Sequence, residues 1–277
     1  MEDLSTYNSE GSELRNVQLR LLEALKVLDR ICRDNKIEYC LAGGSVLGAV
    51  RHKGFIPWDD DIDIILFPGE YKKLLKVLSK EKYNEASLYG LQWHKGDYNY
   101  IEVFPKFREK LIGQQCEDGK NYVLGDNPLR AIKYKYKGVS IDIFCLEKNS
   151  MLTNKLSLIC RHFFLVKLYR IDNNYVRSIM TRVSWFAFCV SIIVIKLLFN
   201  FLRKKDFRGY KEWHYKAGSP APEHKTYKED IFPLRMVSFE SLLVPIPNNY
   251  DSYLRNLYGD YMIIPENKKT HTKSLRQ

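Results

Sequence analysis

Residues 41–64, LAGGSVLGAVRHKGFIPWDDDIDI, place a Gly-Gly-Ser run and four aspartates on either side of one short apolar segment. Ile37 to Leu41 reads as a short strand running into Gly43, Gly44 and Ser45, and Val46, Leu47, Ala49 and Val50 continue as a helix. A loop with Gly54, Pro57 and Trp58 follows, and Asp61 to Phe67 (DIDIILF) reads as a buried strand. Side chains alternate along a strand, so Asp59, Asp61 and Asp63 share one face while Asp60, Ile62 and Ile64 share the other. Same-face neighbours stand about 7 Å apart, and at an effective dielectric near 20 each pair repels by about 2 kcal/mol. Such a wall needs a compensating cation. All-oxygen ligands on a rigid strand suit Mg²⁺ or Mn²⁺, which take carboxylates together with substrate phosphates and water.

Working outward, Ser12 to Arg33 carries Leu14, Val17, Leu21, Leu25, Leu28 and Cys32 at three- and four-residue steps, an amphipathic helix with Ser12 as N-cap. Gly69 to Lys82 predicts a second amphipathic helix. Short aromatic strands are expected near 87–93 and 98–107, with a Gly-, Asp- and Asn-rich loop over 113–128. Val139 to Leu146 (VSIDIFCL) predicts another strand, on which Asp142 faces away from Val139, Ile141, Ile143 and Cys145. A lone Asp in so apolar a strand is costly to bury without a partner, and the same metal would be that partner. Small residues at a strand-to-helix junction let backbone N–H groups and a hydroxyl approach a phosphate. Gly-Gly-Ser, then DxD, then one Asp on a neighbouring strand is the constellation of metal-dependent phosphoryl or nucleotidyl transfer. No GxxxxGK occurs, which excludes a P-loop, and no GxGxxG follows a strand.

The chain has 277 residues, 45% of them hydrophobic and 28% charged, which is enough to bury a core and too polar for a polytopic membrane protein. Its net charge of +11 is not spread evenly. Residues 1–150 carry 23 basic and 23 acidic side chains, whereas 151–211 carry 12 basic against Asp172 and Asp206, and 212–277 carry 9 against 8. The surplus therefore sits among the two most apolar stretches, 156–169 and 184–202, and not beside the aspartates. That pairing points to an anionic lipid surface rather than nucleic acid. Three readings of 184–202 stay open: peripheral or monotopic attachment, a core helix, and a spanning helix. The six cysteines show no CxxC pair and no zinc spacing, so they are expected to be reduced thiols. The beginning of the chain, MEDLSTYNSEGSE, is unlike a signal or transit peptide, which places the expected chemistry in the cytoplasm, at the cytoplasmic face of a membrane.

The run 41–64 closely resembles the hallmark of the LicD family, the phosphocholine-type transferases related to fukutin and fukutin-related protein. VSIDIFCLE (139–147) and VPIPNNYDSYLRNLYGDYMIIPENKKTH (244–271) match as well. The resemblance implies an α+β, nucleotidyltransferase-like mixed sheet flanked by helices. With the charge and apolar patterning, it divides the chain into a catalytic core at 1–150, a basic, apolar helical segment at 151–211 and a part at 212–277 that completes the catalytic domain; over 148–240 the resemblance is poor, and acceptor choice is expected there. It implies transfer of a phospho-alcohol, phosphocholine first, from a CDP-activated donor to a cell-surface glycan precursor such as lipopolysaccharide, teichoic acid or capsule. On this sequence it assigns metal ligation to Asp61, Asp63 and Asp142, with Asp59 beside them or acting as base. Gly43, Gly44 and Ser45 would cradle the donor phosphates, and Arg51 and His52 could contact a phosphate oxygen. Cys145 stands where the family usually has Pro, and Glu147 where it usually has Asp. Packing is the favoured reading of the C-terminal aromatics, and the alternative has Tyr258 or His271 closing over the donor base or acting on the acceptor hydroxyl. Rival readings are ribitol- or glycerol-phosphate transfer, a true nucleotidyltransferase, a DxD glycosyltransferase and a non-catalytic membrane-associated scaffold.

Overall fold

The computed structural model describes residues 6–80, 88–111, 134–203, 211–220 and 224–265. Helix α1 (Glu13–Asp34) starts where Ser12 Oγ accepts from Arg15 N, and it buries Val17, Leu21, Leu25, Leu28 and Cys32 as one stripe. Strand β1 (Cys40–Leu41) is shorter than expected, but Ile37 and Tyr39 before it are buried without pairing. Helix α2 (Gly43–His52) begins at the glycines themselves, and β2 (Ile62–Leu66) and α3 (Pro68–Leu78) follow. Next come β3 (Tyr89–Gln92), β4 (Lys106–Glu109) and β5 (Ser140–Lys148).

The sheet runs β1-β2-β5-β4-β3, with β6 (Glu212–Tyr215) extending from β5 and β7 (Lys225–Tyr227) from β6. Among the described residues only the β2–β5 pair is parallel, and its register sets Asp63 beside Asp142 and Ile64 beside Ile143. The sheet is therefore mixed, in line with the expected α+β fold. Ile62, Ile64, Ile141, Ile143 and Cys145 pack against α1 and α3 on one face. On the other face, Ile65, Phe144, Leu146 and Tyr215 form a second cluster, and Phe144 and Tyr215 stack at 4.6 Å.

Two expectations change. The strand expected over 98–107 begins only at Lys106, because Asp97 captures the chain in a turn: its carboxylate accepts from Asn99 N, Lys135 N and Gln92 Nε2. Helix α3 ends at Leu78 rather than Lys82. The loop expected over 113–128 lies outside the described residues. Where a metal was expected as the partner of Asp142, β4 supplies Lys106, whose Nζ sits 2.6 Å from Asp142 Oδ1. Both side chains are largely buried, so an attraction that water would screen is retained.

Beyond β5 the chain forms α4 (Met151–Phe164), a 3₁₀ turn (Val166–Arg170) and α5 (Asn174–Arg203). It returns through β6 and β7, the single turn α6 (Lys228–Ile231), a hairpin of β8 (Arg235–Phe239) and β9 (Leu242–Ile246), and α7 (Tyr250–Tyr258). Helix α7 is capped by Asn249, whose side chain accepts from Ser252 N, and is anchored by the buried Tyr253 and Leu254. Arg15 pairs with Glu240 at the β8–β9 turn, tying the first helix to the last hairpin. Of the cysteines, Cys32, Cys40, Cys145, Cys160 and Cys189 are free thiols, and Cys116 lies outside the described residues.

Two substitutions test this arrangement. A Cβ at Gly48 would lie 2.4 Å from the carbonyl oxygen of Gly54, backbone against backbone. Gly48→Ala is expected to cost about 2–3 kcal/mol, read as a lowered urea midpoint. Lys106→Met leaves Asp142 without its cation and is expected to cost about 2–4 kcal/mol at neutral pH. Adding Asp142→Leu should recover most of that loss, and a double mutant as unstable as Lys106→Met would contradict the pairing.

Candidate active site

The mouth of β2 opens into a cavity of about 450 Å³. Asp59, Asp61 and Asp63 line it together, and Asp60 is buried outside it, so the alternation expected from the sequence is present. Gly44, Leu47 and Arg51 of α2 form a second wall, and Trp58, Tyr258, Asp260 and Tyr261 complete it. The β2 and β5 register brings Asp142 alongside Asp63.

The carboxylates crowd one another. Burial first, and then the charges of Asp61 and Asp60, push the Asp59 carboxyl well above the usual carboxylate range, and its side chain is hydrogen-bonded to Asp61. Asp63 is pushed the same way, by burial and then by Asp61, Asp142 and Asp59, with Lys106 opposing. These are groups that take up positive charge, whether from protons or from a metal ion. The donor set suits a hard divalent cation, with Asp61 and Asp63 able to hold it and Asp59 next to them. Among the described residues, no three carboxylate, imidazole or thiol groups converge as a ready ligand set. Asp142 is engaged by Lys106. Phosphate oxygens of a substrate would have to supply the remaining ligands, the usual arrangement for Mg²⁺.

The three small residues of α2 separate in role. Gly44 lines the cavity, and a Cβ there would come within 2.9 Å of Asp59 Oδ2. Gly43 adopts φ +50, and its N–H donates to Tyr253 Oη at 3.0 Å. Ser45 departs from the expected cradle: its buried Oγ accepts from Asp63 N at 2.9 Å and fastens α2 to β2. Of the three, Gly44 alone opens onto the cavity.

Arg51 lines the cavity, held by a bond from Nη1 to Tyr261 O at 2.7 Å and one from Nε to His52 Nε2 at 2.9 Å. His52 does not line it. Burial and the adjoining guanidinium lower the His52 pKa to about 4, so the ring is neutral near pH 7 and free to accept from Arg51. In this structure its ring supports Arg51 from outside the cavity.

Sequence reasoning missed Lys106 and left Tyr258 undecided. Tyr258 lines the cavity, and its hydroxyl lies 3.5 Å from the point a Gly43 Cβ would occupy. Lys106 carried one signal: a single cation in the FPKF run, on a strand that could pair with the Asp142 strand. Behind α2, His224 stacks on Tyr215 at 4.2 Å and meets Tyr253 Oη at 3.2 Å, so an aromatic column supports the Gly43 contact. His271 lies outside the described residues.

Residues 36–163 match the model described as LicD/FKTN/FKRP, nucleotidyltransferase domain, a span that contains α2, β2, β5 and all four aspartates. The chain is 28% identical over 93% of its length to the lipopolysaccharide cholinephosphotransferase LicD of Haemophilus influenzae, covering 95% of that protein. It is 38% identical over 39% of its length to an uncharacterised protein of Rickettsia prowazekii, covering 40% of it. It is 29% identical over 36% of its length to the mouse ribitol 5-phosphate transferase FKRP, covering 21% of that protein. The family match takes in the whole carboxylate site, so residues 36–163 are similar to the LicD/FKTN/FKRP nucleotidyltransferase domain, and the similarity to a cholinephosphotransferase extends along nearly the full chain.

Proposed function

We propose that the protein transfers a phospho-alcohol, phosphocholine first, from a CDP-activated donor to a hydroxyl of a cell-surface glycan precursor. One observation carries the reading: three crowded carboxylates face a helix start and a fixed arginine across a single cavity. That arrangement accepts a phosphate anhydride and its counterion. The full-length similarity to a cholinephosphotransferase favours choline as the alcohol.

In this reading the acceptor hydroxyl attacks the phosphorus that bears the alcohol, the anhydride P–O bond breaks, and CMP leaves. Arg51, pinned by Tyr261 and His52, reaches a phosphate oxygen with the part of its fork that stays free. Gly44 leaves room for the donor to approach the first turn of α2, whose N–H groups favour negative charge. Asp59 suits the removal of the hydroxyl proton better than Asp142, because Asp59 faces the cavity while Asp142 is held by Lys106. A Mg²⁺ or Mn²⁺ ion at Asp61 and Asp63 would neutralise charge on the anhydride. Alignment and electrostatics then account for the rate.

The similarity to FKRP supports a second reading, in which the transferred group is ribitol phosphate. Incubating the protein with Mg²⁺, a glycan acceptor and a panel of CDP-alcohols, and measuring CMP release, separates the two. CDP-choline should be turned over fastest; preference for CDP-ribitol would select the alternative. A product carrying a nucleobase would instead identify a nucleotidyltransferase. Asp61→Asn and Asp63→Asn are each expected to lower turnover by roughly a hundredfold or more. Their melting temperatures should be unchanged or raised, since each removes a repulsive charge. Near-normal turnover in both variants would overturn the metal-site reading.

A further inference from the structure

Helices α4 and α5 are built inside out. Toward the protein α4 buries Thr153, Asn154 and Ser157, while Met151, Leu152, Ile159 and Phe163 face outward, Phe163 at 70% exposure. On α5 the inward positions are Arg177, Thr181, Ser184 and Phe188, and the outward ones include Val183, Phe186, Ile193, Leu197 and Phe201. Phe186 is 73% exposed and Phe201 80%. A helix on a water-soluble surface shows the opposite pattern, and an apolar face this large marks an interaction surface. Residues 174–201 are also long and apolar enough to match a bilayer, yet they are almost unburied, which rules out the core-helix reading.

We propose that the α4–α5 hairpin lies flat in the interface of an anionic membrane, with its outward side chains among the acyl chains and the body of the protein above. Charge selects lipid over a second copy of the chain. Lys155, Lys167, Arg170 and Arg182 are all exposed on this segment, and 151–211 carries only two acidic residues. Two such faces would repel each other, whereas anionic headgroups attract each basic residue by about 1 kcal/mol.

The inward contacts fix the orientation. Arg177 Nε donates to Asn99 Oδ1 at 2.7 Å, Trp185 stacks on His94 at 4.0 Å, and Lys196 Nζ reaches both Glu147 oxygens at 3.0 Å. From Arg177 to Lys196 the helix rises about 28 Å, nearly the thickness of a hydrocarbon core. A perpendicular α5 would drag Asn99, His94 and Glu147 into that core, at a cost lipid cannot offset. Lying flat, the helix buries only its outer face, to a depth of about 5–10 Å. This proposal stands independently of the transferase reading.

The test is flotation of the full chain with vesicles of phosphatidylcholine, with and without phosphatidylglycerol. It should float with the anionic vesicles, less so at high salt. The double variant Phe186→Ser, Leu197→Ser should lose roughly a hundredfold in partitioning. Both side chains are exposed, so its melting temperature should match that of the parent. Asn174→Cys and Arg203→Cys, treated from outside sealed vesicles with an impermeant maleimide and read by peptide mass spectrometry, should both be labelled. Labelling of one end only would show a spanning helix and overturn the orientation. Failure to float with either vesicle, or a soluble dimer that the double variant dissociates, would overturn the membrane assignment.

Discussion

The constraint on which the rest of this structure depends is the crowding of negative charge at the mouths of two adjacent parallel strands. Pairing β2 with β5 in register sets Asp63 directly beside Asp142, and the chain before β2 adds Asp59 and Asp61 on the same side. Nothing in the hydrophobic packing of the sheet requires this. The isoleucines of both strands already bury the opposite face. The arrangement persists because other parts of the chain converge on it. Lys106 comes in from β4, Ser45 holds the backbone of Asp63, and α2 directs its N-terminal end at the carboxylates. Among the described residues the carboxylates at the site outnumber the cations Lys106 and Arg51, and a donor with its counterion would supply the balance.

The site is also where the two ends of the chain meet. Arg51 is oriented by a carbonyl from Tyr261, and Gly43 is held by the hydroxyl of Tyr253, each more than 200 residues away in sequence. Tyr253 is in turn backed by His224 and Tyr215. The C-terminal aromatics are therefore supports for α2 as well as packing, and Tyr258 faces the cavity itself. The long insertion between β5 and β6 leaves this arrangement undisturbed, because it leaves and re-enters at neighbouring strands. A membrane-facing hairpin placed there would hold the catalytic body close to a lipid surface without touching its chemistry.

What was legible in the sequence was local. Helix α1 could be read from its apolar step and its serine cap, and β2 and β5 from short apolar runs each interrupted by one aspartate. The facing of Asp59, Asp61 and Asp63 followed from alternation alone. What could not be read depended on partners distant in the chain. A hydroxyl at a helix start suggests a phosphate ligand, and only the placement of β2 shows that Ser45 is taken up by Asp63 N. His52 beside Arg51 suggested two phosphate contacts, whereas burial makes one residue a support for the other. Lys106 stood out in sequence only as a lone cation in its run, because its role exists only once β4 pairs with β5. The apolar run of α5 was plain in composition, but the burial of Arg177, Thr181 and Ser184, with Phe186, Leu197 and Phe201 outside, is a property of the fold.

The central claim is that the carboxylates of β2 form a cation site completed by a nucleotide's phosphates. Titrating Mn²⁺ into the full chain in the presence of CDP, followed by electron paramagnetic resonance, tests it most directly. The account predicts one protein-bound Mn²⁺ per chain that requires the nucleotide and disappears in Asp61→Asn and Asp63→Asn. Mn²⁺ binding identical in the parent and both variants, or none with CDP present, would contradict it.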